Sequence, residues 1–175
     1  AEGCLYGSVG ACPIMGTANS MQCATESLGL SLPGSASALA VSAEKMRYAE
    51  ETGRQIMELI RRDIKPTDIV TKEAIENCIT VLMSSGGSTN LIIHLTAIAR
   101  RAGIELKLDE FQKISERTRV LVDVKPSGKG TVGIEFHQAG GVPALMKELE
   151  PLLHTDVLTV TGKTLKENLK NVQSP

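Results

Sequence analysis

Val41, Met46, Ala49, Gly53, Ile56 and Ile60 recur at helical spacing, and charged residues fill the positions between them. That pattern predicts a long amphipathic helix over 38–62. Ahead of it, Thr17 opens a helix-like stretch to about residue 28, with Gly29 as its stop. Ser31-Leu32-Pro33-Gly34-Ser35 reads as a turn. Pro66 closes the long helix unit, because proline does not continue a helix interior. Thr71 then caps a helix with the apolar stripe Ala74, Ile75, Cys78, Ile79 and Leu82. A small-residue loop, 84–90, leads into a helix over 89–102 that Gly103 stops. Asp109 is the expected cap of a short helix with Phe111 and Ile114.

Beyond residue 118 the period changes. Val120-Leu121-Val122-Asp123-Val124 is short, β-branched and bounded by Pro126-Ser127-Gly128, the pattern of a buried strand. Val157-Leu158-Thr159-Val160 is a second strand candidate, between a helix with Leu145, Met146 and Leu149 and a last helix over 164–169. Helices outnumber strands. The expectation is a helix-rich α/β domain, layered helix–sheet–helix, with small-residue loops at the junctions.

Composition narrows the function classes. The 175 residues are 42% apolar and 22% charged, with a net charge of -1. This is one domain's worth of ordinary globular chain, without a field that favours nucleic acid or anionic membrane. Aromatics at 2%, with no Trp, argue against base-stacking platforms and aromatic sugar clefts. The start lacks the basic and apolar regions of a signal peptide, and the apolar runs are far short of a membrane span. The chain opens without Met, directly into a motif, and is read as a piece of a longer protein or a processed product. Its four cysteines match no zinc ribbon and no disulfide scaffold, which fits a reducing cytoplasm.

The candidate chemistry centres on Cys12, in the run Gly10-Ala11-Cys12-Pro13-Ile14-Met15-Gly16-Thr17-Ala18-Asn19-Ser20-Met21. A helix N-terminus favours the thiolate, the form that binds metal or attacks carbon. Cys12 is therefore a candidate iron or zinc ligand or a nucleophile; the plainer reading is a small buried cysteine under a turn. Cys4 could share its site, while Cys23 and Cys78 fall in helical patterns as small buried hydrophobes. Ser84-Ser85-Gly86-Gly87-Ser88-Thr89-Asn90 is either an anion nest at a helix N-terminus or a plain helix cap. Lys125 and Lys129 either meet an anionic substrate or are solvated loop lysines. Thr161-Gly162-Lys163-Thr164 mimics the tail of a phosphate loop, but Val157 stands where that loop needs glycine. His94, His137 and His154 lie far apart and read as structural or surface residues, and Glu26 as a capping or solvated one.

Taken in order, five blocks resemble the dihydroxy-acid dehydratase and phosphogluconate dehydratase family over essentially the whole chain. They are the run at 10–21 with Glu26-Ser27-Leu28-Gly29-Leu30-Ser31-Leu32-Pro33-Gly34, then Ser85-Gly86-Gly87-Ser88-Thr89-Asn90 with His94-Leu95, then Lys125-Pro126-Ser127-Gly128, then Gly140-Gly141-Val142-Pro143, and finally Thr159-Val160-Thr161-Gly162-Lys163-Thr164-Leu165. The resemblance implies a hydro-lyase that removes water from a 2,3-dihydroxy acid to give a 2-keto acid. It implies an iron–sulfur cluster, [2Fe-2S] or [4Fe-4S], with a nearby Mg²⁺, and Cys12 as one of three cluster ligands. It further implies a small-molecule dihydroxy-acid substrate, no nucleic-acid or membrane partner, a cytoplasmic homodimer or homotetramer, and substrate contacts at Ser88, Thr89 and Asn90.

The departures are as specific. No Cys-Asp-Lys motif, which carries another cluster cysteine and magnesium ligands in the family, occurs here. The family's proposed catalytic serine and a magnesium-binding glutamate lie in a downstream barrel domain. Residues 1–175 thus read as the second half of the family's N-terminal α/β domain, with no catalytic residue of its own and inactive alone. The favoured substrate branch is branched-chain amino-acid biosynthesis. Ile14-Met15-Gly16-Thr17-Ala18-Asn19 leans instead toward aldonic- and sugar-acid dehydratases. A non-catalytic binding module and a covalent role for Cys12 are the readings from other classes.

Overall fold

The computed structural model describes residues 14–130 and 133–174. Within them the chain forms nine α-helices: α1 (Thr17–Ser27), α2 (Ala43–Arg61), α3 (Pro66–Ile69), α4 (Lys72–Ser85), α5 (Asn90–Arg101), α6 (Leu108–Arg117), α7 (Gly133–Gln138), α8 (Gly141–Glu148) and α9 (Leu165–Leu169). A 3-10 turn, Glu150–Leu152, follows α8.

The fold is built around α4. The Thr71 hydroxyl accepts from Ala74 N at 3.2 Å and caps its start; Gly86, in the left-handed region, ends it. Ala74, Ile75, Cys78 and Ile79 are fully buried. They join Ala24 and Leu28 of α1, Leu91, Leu95 and Ala99 of α5, and Phe111 and Ile114 of α6 in one apolar core. Val81, on another side of α4, enters a second core with Cys23, Phe136 of α7, Val142, Leu145 and Met146 of α8, and Leu165 and Leu169 of α9. A helix apolar on several sides is one that other helices surround. Its one long buried amide is also paired: Asn77 donates to His154 O at 2.9 Å and accepts from His154 N at 2.8 Å.

The layered α/β expectation is corrected here. Among the described residues there is no β-strand; the nearest approach to one is isolated bridging, at Val124 and, antiparallel, between Leu158 and Thr164. Segment 120–124 lies against the end of α4, where Leu121 N and Val122 N both donate to Ser84 O at 3.0 and 3.2 Å. Val120 and Leu121 are exposed and only Val124 is buried. A parallel-sheet strand must bury both faces, and this segment buries one residue. Segment 157–160 instead turns back through Gly162 (φ 72°), with Thr159 N bonded to Lys163 O.

Two boundaries also move. The long helix starts at Ala43, because Ser42 accepts from Lys45 N and caps it while 35–42 is taken up by turns. The short helix starts at Leu108 rather than behind Asp109; Glu110 reaches back to Lys107 N at 3.2 Å. The other helix expectations match in kind and place. What periodicity did not reveal is the setting of α2. Its inner line is Tyr48, Gln55 and buried Leu59, and its apolar stripe stands in solvent.

Candidate functional site

Three segments distant in the chain meet at one end of α4. The α1 entrance contributes Ile14–Ser20, the α4–α5 loop contributes residues 84–90, and the turn after Val124 contributes Lys125–Ser127. Thr17 and Ser88 hydroxyls lie 3.3 Å apart, 71 positions apart in sequence. Asn90 Nδ2 donates to Thr17 Oγ1 at 2.7 Å. Ser88 N donates to buried Ser20 Oγ at 2.9 Å, and Asn90 N to Ser88 Oγ at 3.3 Å. The third segment is tied in by Met15 N on Lys125 O (2.6 Å) and Ser127 Oγ on Gly86 O (3.0 Å).

The small residues of these motifs have steric reasons. A Cβ on Gly87 would lie 2.4 Å from Leu82 Cδ1 and 3.2 Å from Ser20 Oγ. On Gly128 it would lie 2.2 Å from Asp123 Oδ1 and 2.8 Å from Val124 N. The Lys125–Pro126 bond is cis. Asp123 accepts from Lys129 N at 2.8 Å, which wraps the turn around its carboxylate. Gly87 thus lets its loop sit against Ser20 of the α1 entrance, Gly128 lets the third segment fold onto its own Asp123, and hydroxyls and amides bridge the segments.

Of the sequence candidates, Ser88, Thr89 and Asn90 sit together here. Ser88 is half-buried, and Thr89 and Asn90 are exposed at the rim. Lys125 and Lys129 are exposed on the neighbouring turn, which suits solvated cations and an anion's approach equally. The α5 N-terminus carries no side-chain cap from Thr89. Cys12 and Cys4 lie outside the described residues; Cys12 is two positions ahead of Ile14, whose carbonyl accepts from Asn19 Nδ2 at 2.8 Å. Thr17, Ser20 and Ser127 escaped the sequence reading as site residues. Their motifs are visible in the chain, but only the packing of α1 on α4 and α5 brings them together.

The remaining candidates have structural roles. Cys23 and Cys78 are buried free thiols, and burial pushes both up to about 12, so they are neutral and inert. Among the described residues no group of three His, Cys, Asp or Glu could hold a metal ion. Glu26 is buried in α1 and accepts from Gly34 N at 2.7 Å and Ala36 N at 2.8 Å. Burial raises it to about 7 against the opposing pull of those two amides and Lys45. His94 is exposed. His137 joins Ser37 Oγ (3.1 Å) to Glu44 (3.0 Å), and His154 pairs with Glu76 at 2.8 Å. Thr164 caps α9 with Glu167 in a capping box, so the Gly-Lys-Thr run is a turn and a cap.

The segments that converge here belong to the motif blocks singled out in the sequence, and the comparisons show the family. Residues 1–168 match the family described as dihydroxy-acid/6-phosphogluconate dehydratase, N-terminal. The chain belongs to that family. It is 52% identical over 168 residues to the dihydroxy-acid dehydratase of Sulfurisphaera tokodaii, covering 95% of this chain and 30% of that protein. It is 54% identical over 163 residues to the dihydroxy-acid dehydratase of Lactococcus lactis subsp. cremoris strain MG1363, covering 92% and 28%. A third relative of the same name, from Picrophilus torridus, is 49% identical over 168 residues, covering 95% and 30%. The chain thus spans about three-tenths of the length of the curated relatives it matches.

Proposed function

We propose that this chain is the second half of the N-terminal domain of a hydro-lyase that converts a 2,3-dihydroxy carboxylic acid to a 2-keto acid. The favoured enzyme is the dihydroxy-acid dehydratase of branched-chain amino-acid biosynthesis, and the rim formed by Ser88, Thr89 and Asn90 faces the substrate. One observation carries the reading: motifs 71 and 73 positions apart meet in a single hydrogen-bonded cluster beside the segment that follows Cys12. The 49–54% identity to proteins named dihydroxy-acid dehydratase supports it from outside.

Overall, the substrate's C2–H and C3–O bonds break, water leaves, and the resulting enol tautomerises to the ketone. This chain's contribution is recognition. The Asn90 amide and Thr89 hydroxyl are neutral groups of the size and polarity that hydrogen-bond vicinal hydroxyls. Lys125 and Lys129 draw the carboxylate toward the same edge.

An iron–sulfur cluster and Mg²⁺ are implied by the family resemblance. The described residues do not fit such a group by themselves, since their two thiols are buried and neutral. Cys12 is the proposed iron ligand of this chain; like Cys4, it lies outside the described residues. The proposed setting is a cytoplasmic homodimer or homotetramer. No helix among the described residues is long and apolar enough to cross a membrane. A sugar-acid substrate is the second reading, favoured by Ile14-Met15-Gly16-Thr17-Ala18-Asn19.

The test is turnover by an anaerobically reconstituted longer protein carrying this segment. It would be offered a branched 2,3-dihydroxy acid and a six-carbon aldonic acid, with the keto acid trapped as a hydrazone. Preference for the branched acid is expected. Preference for the aldonic acid moves the enzyme to the other branch, and turnover of neither rejects the dehydratase reading. Cys12→Ser should lower iron content and abolish turnover; unchanged iron would sink its ligand role.

A further inference from the structure

His137 of α7 joins two segments that lie 100 and 93 positions before it. Its Nδ1 is 3.1 Å from Ser37 Oγ, and its Nε2 is 3.0 Å from Oε2 of Glu44, in the first turn of α2. Either bond alone would tie α7 down. Both together, on opposite nitrogens of one ring, set up an order of proton transfer. The Glu44 carboxylate only accepts, so Nε2 carries the hydrogen and the Nδ1 lone pair faces the Ser37 hydroxyl. A hydroxyl, an imidazole that takes its proton and a carboxylate that fixes the imidazole's tautomer are the parts of an activated serine nucleophile. All three side chains are half-buried, held by their neighbours yet within reach of solvent.

The surroundings supply a further part. A Cβ on Gly141 would collide with Ser37 Oγ and lie 3.1 Å from Ser37 Cβ. Glycine at this position, with φ 59°, therefore lets the serine hydroxyl reach the start of α8. No side chain caps that start. Its first amides have no partner within the helix, and because Pro143 has no N–H they are those of Gly141 and Val142. Backbone amides at a helix start stabilise an oxyanion that develops beside them. Ala139 and Gly140, both exposed, border the approach, and their small size suits a short acyl group.

We propose that Ser37, His137 and Glu44 form a second reactive site, an acyl-transfer centre that hydrolyses esters of short carboxylic acids. Ser37 Oγ attacks the carbonyl carbon as its proton passes to His137 Nδ1, and the oxyanion faces the α8 amides. The ester C–O bond then breaks, and the departing alkoxide takes the proton from His137 and leaves as the alcohol. Water, losing a proton to His137, attacks the acyl-serine; the acid leaves and Ser37 regains its proton. The site shares no residue with the rim of Ser88, Thr89 and Asn90, so it stands or falls apart from the dehydratase reading.

A fluorophosphonate probe tests it, because an activated serine displaces fluoride from phosphorus and keeps the phosphonyl group on Oγ. The folded 175-residue chain should be labelled at Ser37, located by peptide mass spectrometry. Labelling should run at least about a hundredfold faster than at the same serine in urea, a comparison that needs no variant. His137→Gln keeps a hydrogen-bonding side chain but no base. It should slow labelling by a similar factor with the helical circular dichroism unchanged, and Glu44→Gln should slow it by at least about tenfold. Hydrolysis of p-nitrophenyl acetate should follow the same order. Ser115→Ala, at an exposed serine of α6, should change neither readout. Three results overturn the proposal: Ser37 labelled no faster in the folded chain than in urea, labelling that His137→Gln leaves intact, or ester hydrolysis undiminished in Ser37→Ala.

Discussion

Helices α2 and α4 are both long and both carry a clear apolar stripe, yet they lead opposite lives. The stripe of α4 meets α1, α5, α6 and α8 and is fully buried, while that of α2 stands in solvent. Periodicity says that a helix has a sticky side. It does not say whether the partner lies in the same chain. The difference is in the remaining faces: α4 adds Val81 and uncharged Thr80 and Asn77 away from its main stripe, whereas α2 is charged on almost every other position. A helix with few charges is one that neighbours surround, and that distinction is legible in the sequence.

The largest effects should fall on α4. Ile79→Ala removes a fully buried side chain from the main core and should cost about 2–5 kcal/mol in urea unfolding. Ile60→Ala, the matching truncation on α2, should stay within about 0.5 kcal/mol for dilute, monomeric chain. Equal costs would mean that α2 is part of the monomer's core after all.

The joint between the two regions is Glu26. It anchors the backbone at Gly34 and Ala36, and Lys45 at the root of α2 donates to Ser35 O at 2.8 Å. Cys23, Lys45 and Tyr48 are the titratable groups that face it. Its folded value of about 7 lies above the ordinary 4.5, so the folded state holds the extra proton between them. Stability from this group is fully present below pH 4.5 and is lost as pH rises toward 7, by up to about 3 kcal/mol. Glu26→Gln should flatten that slope. Urea midpoints of both proteins from pH 5 to 8 check it, and parallel curves would refute the assignment.

Smaller effects should mark the loops. Gly128→Ala forces a Cβ onto Asp123 and the Val124 backbone, and should cost about 1–3 kcal/mol by thermal unfolding. Ser42→Ala removes the α2 cap and should cost about 1 kcal/mol, seen as faster amide exchange in the first turn of α2.

The helices were readable because caps and periodicity are local. Thr71, Ser42 and Gly86 act within four residues of themselves. The two strand candidates failed for a non-local reason: β-branched residues mark an extended segment, and a strand additionally needs a continuous pairing ladder, whereas 120–124 reaches a single bridge at Val124 and spends the amides of Leu121 and Val122 on Ser84 O. The site was half legible. Ser88, Thr89 and Asn90 were visible as a loop ahead of a helix, but their bonds to Thr17 and Ser20 span about 70 residues of chain and depend on how α1 packs. Cys12, the residue that carries most of the chemistry in the sequence, lies outside the described residues.

Asn90→Ala, measured by steady-state kinetics in a longer dehydratase carrying this segment, tests the central claim most directly. Asn90 is exposed at the rim, so its loss should cost one bond to Thr17, leave the helical circular dichroism unchanged and remove the proposed substrate contact. The account predicts a KM for the dihydroxy acid raised about tenfold, with kcat within about twofold. An unchanged KM would contradict the claim that this rim faces the substrate.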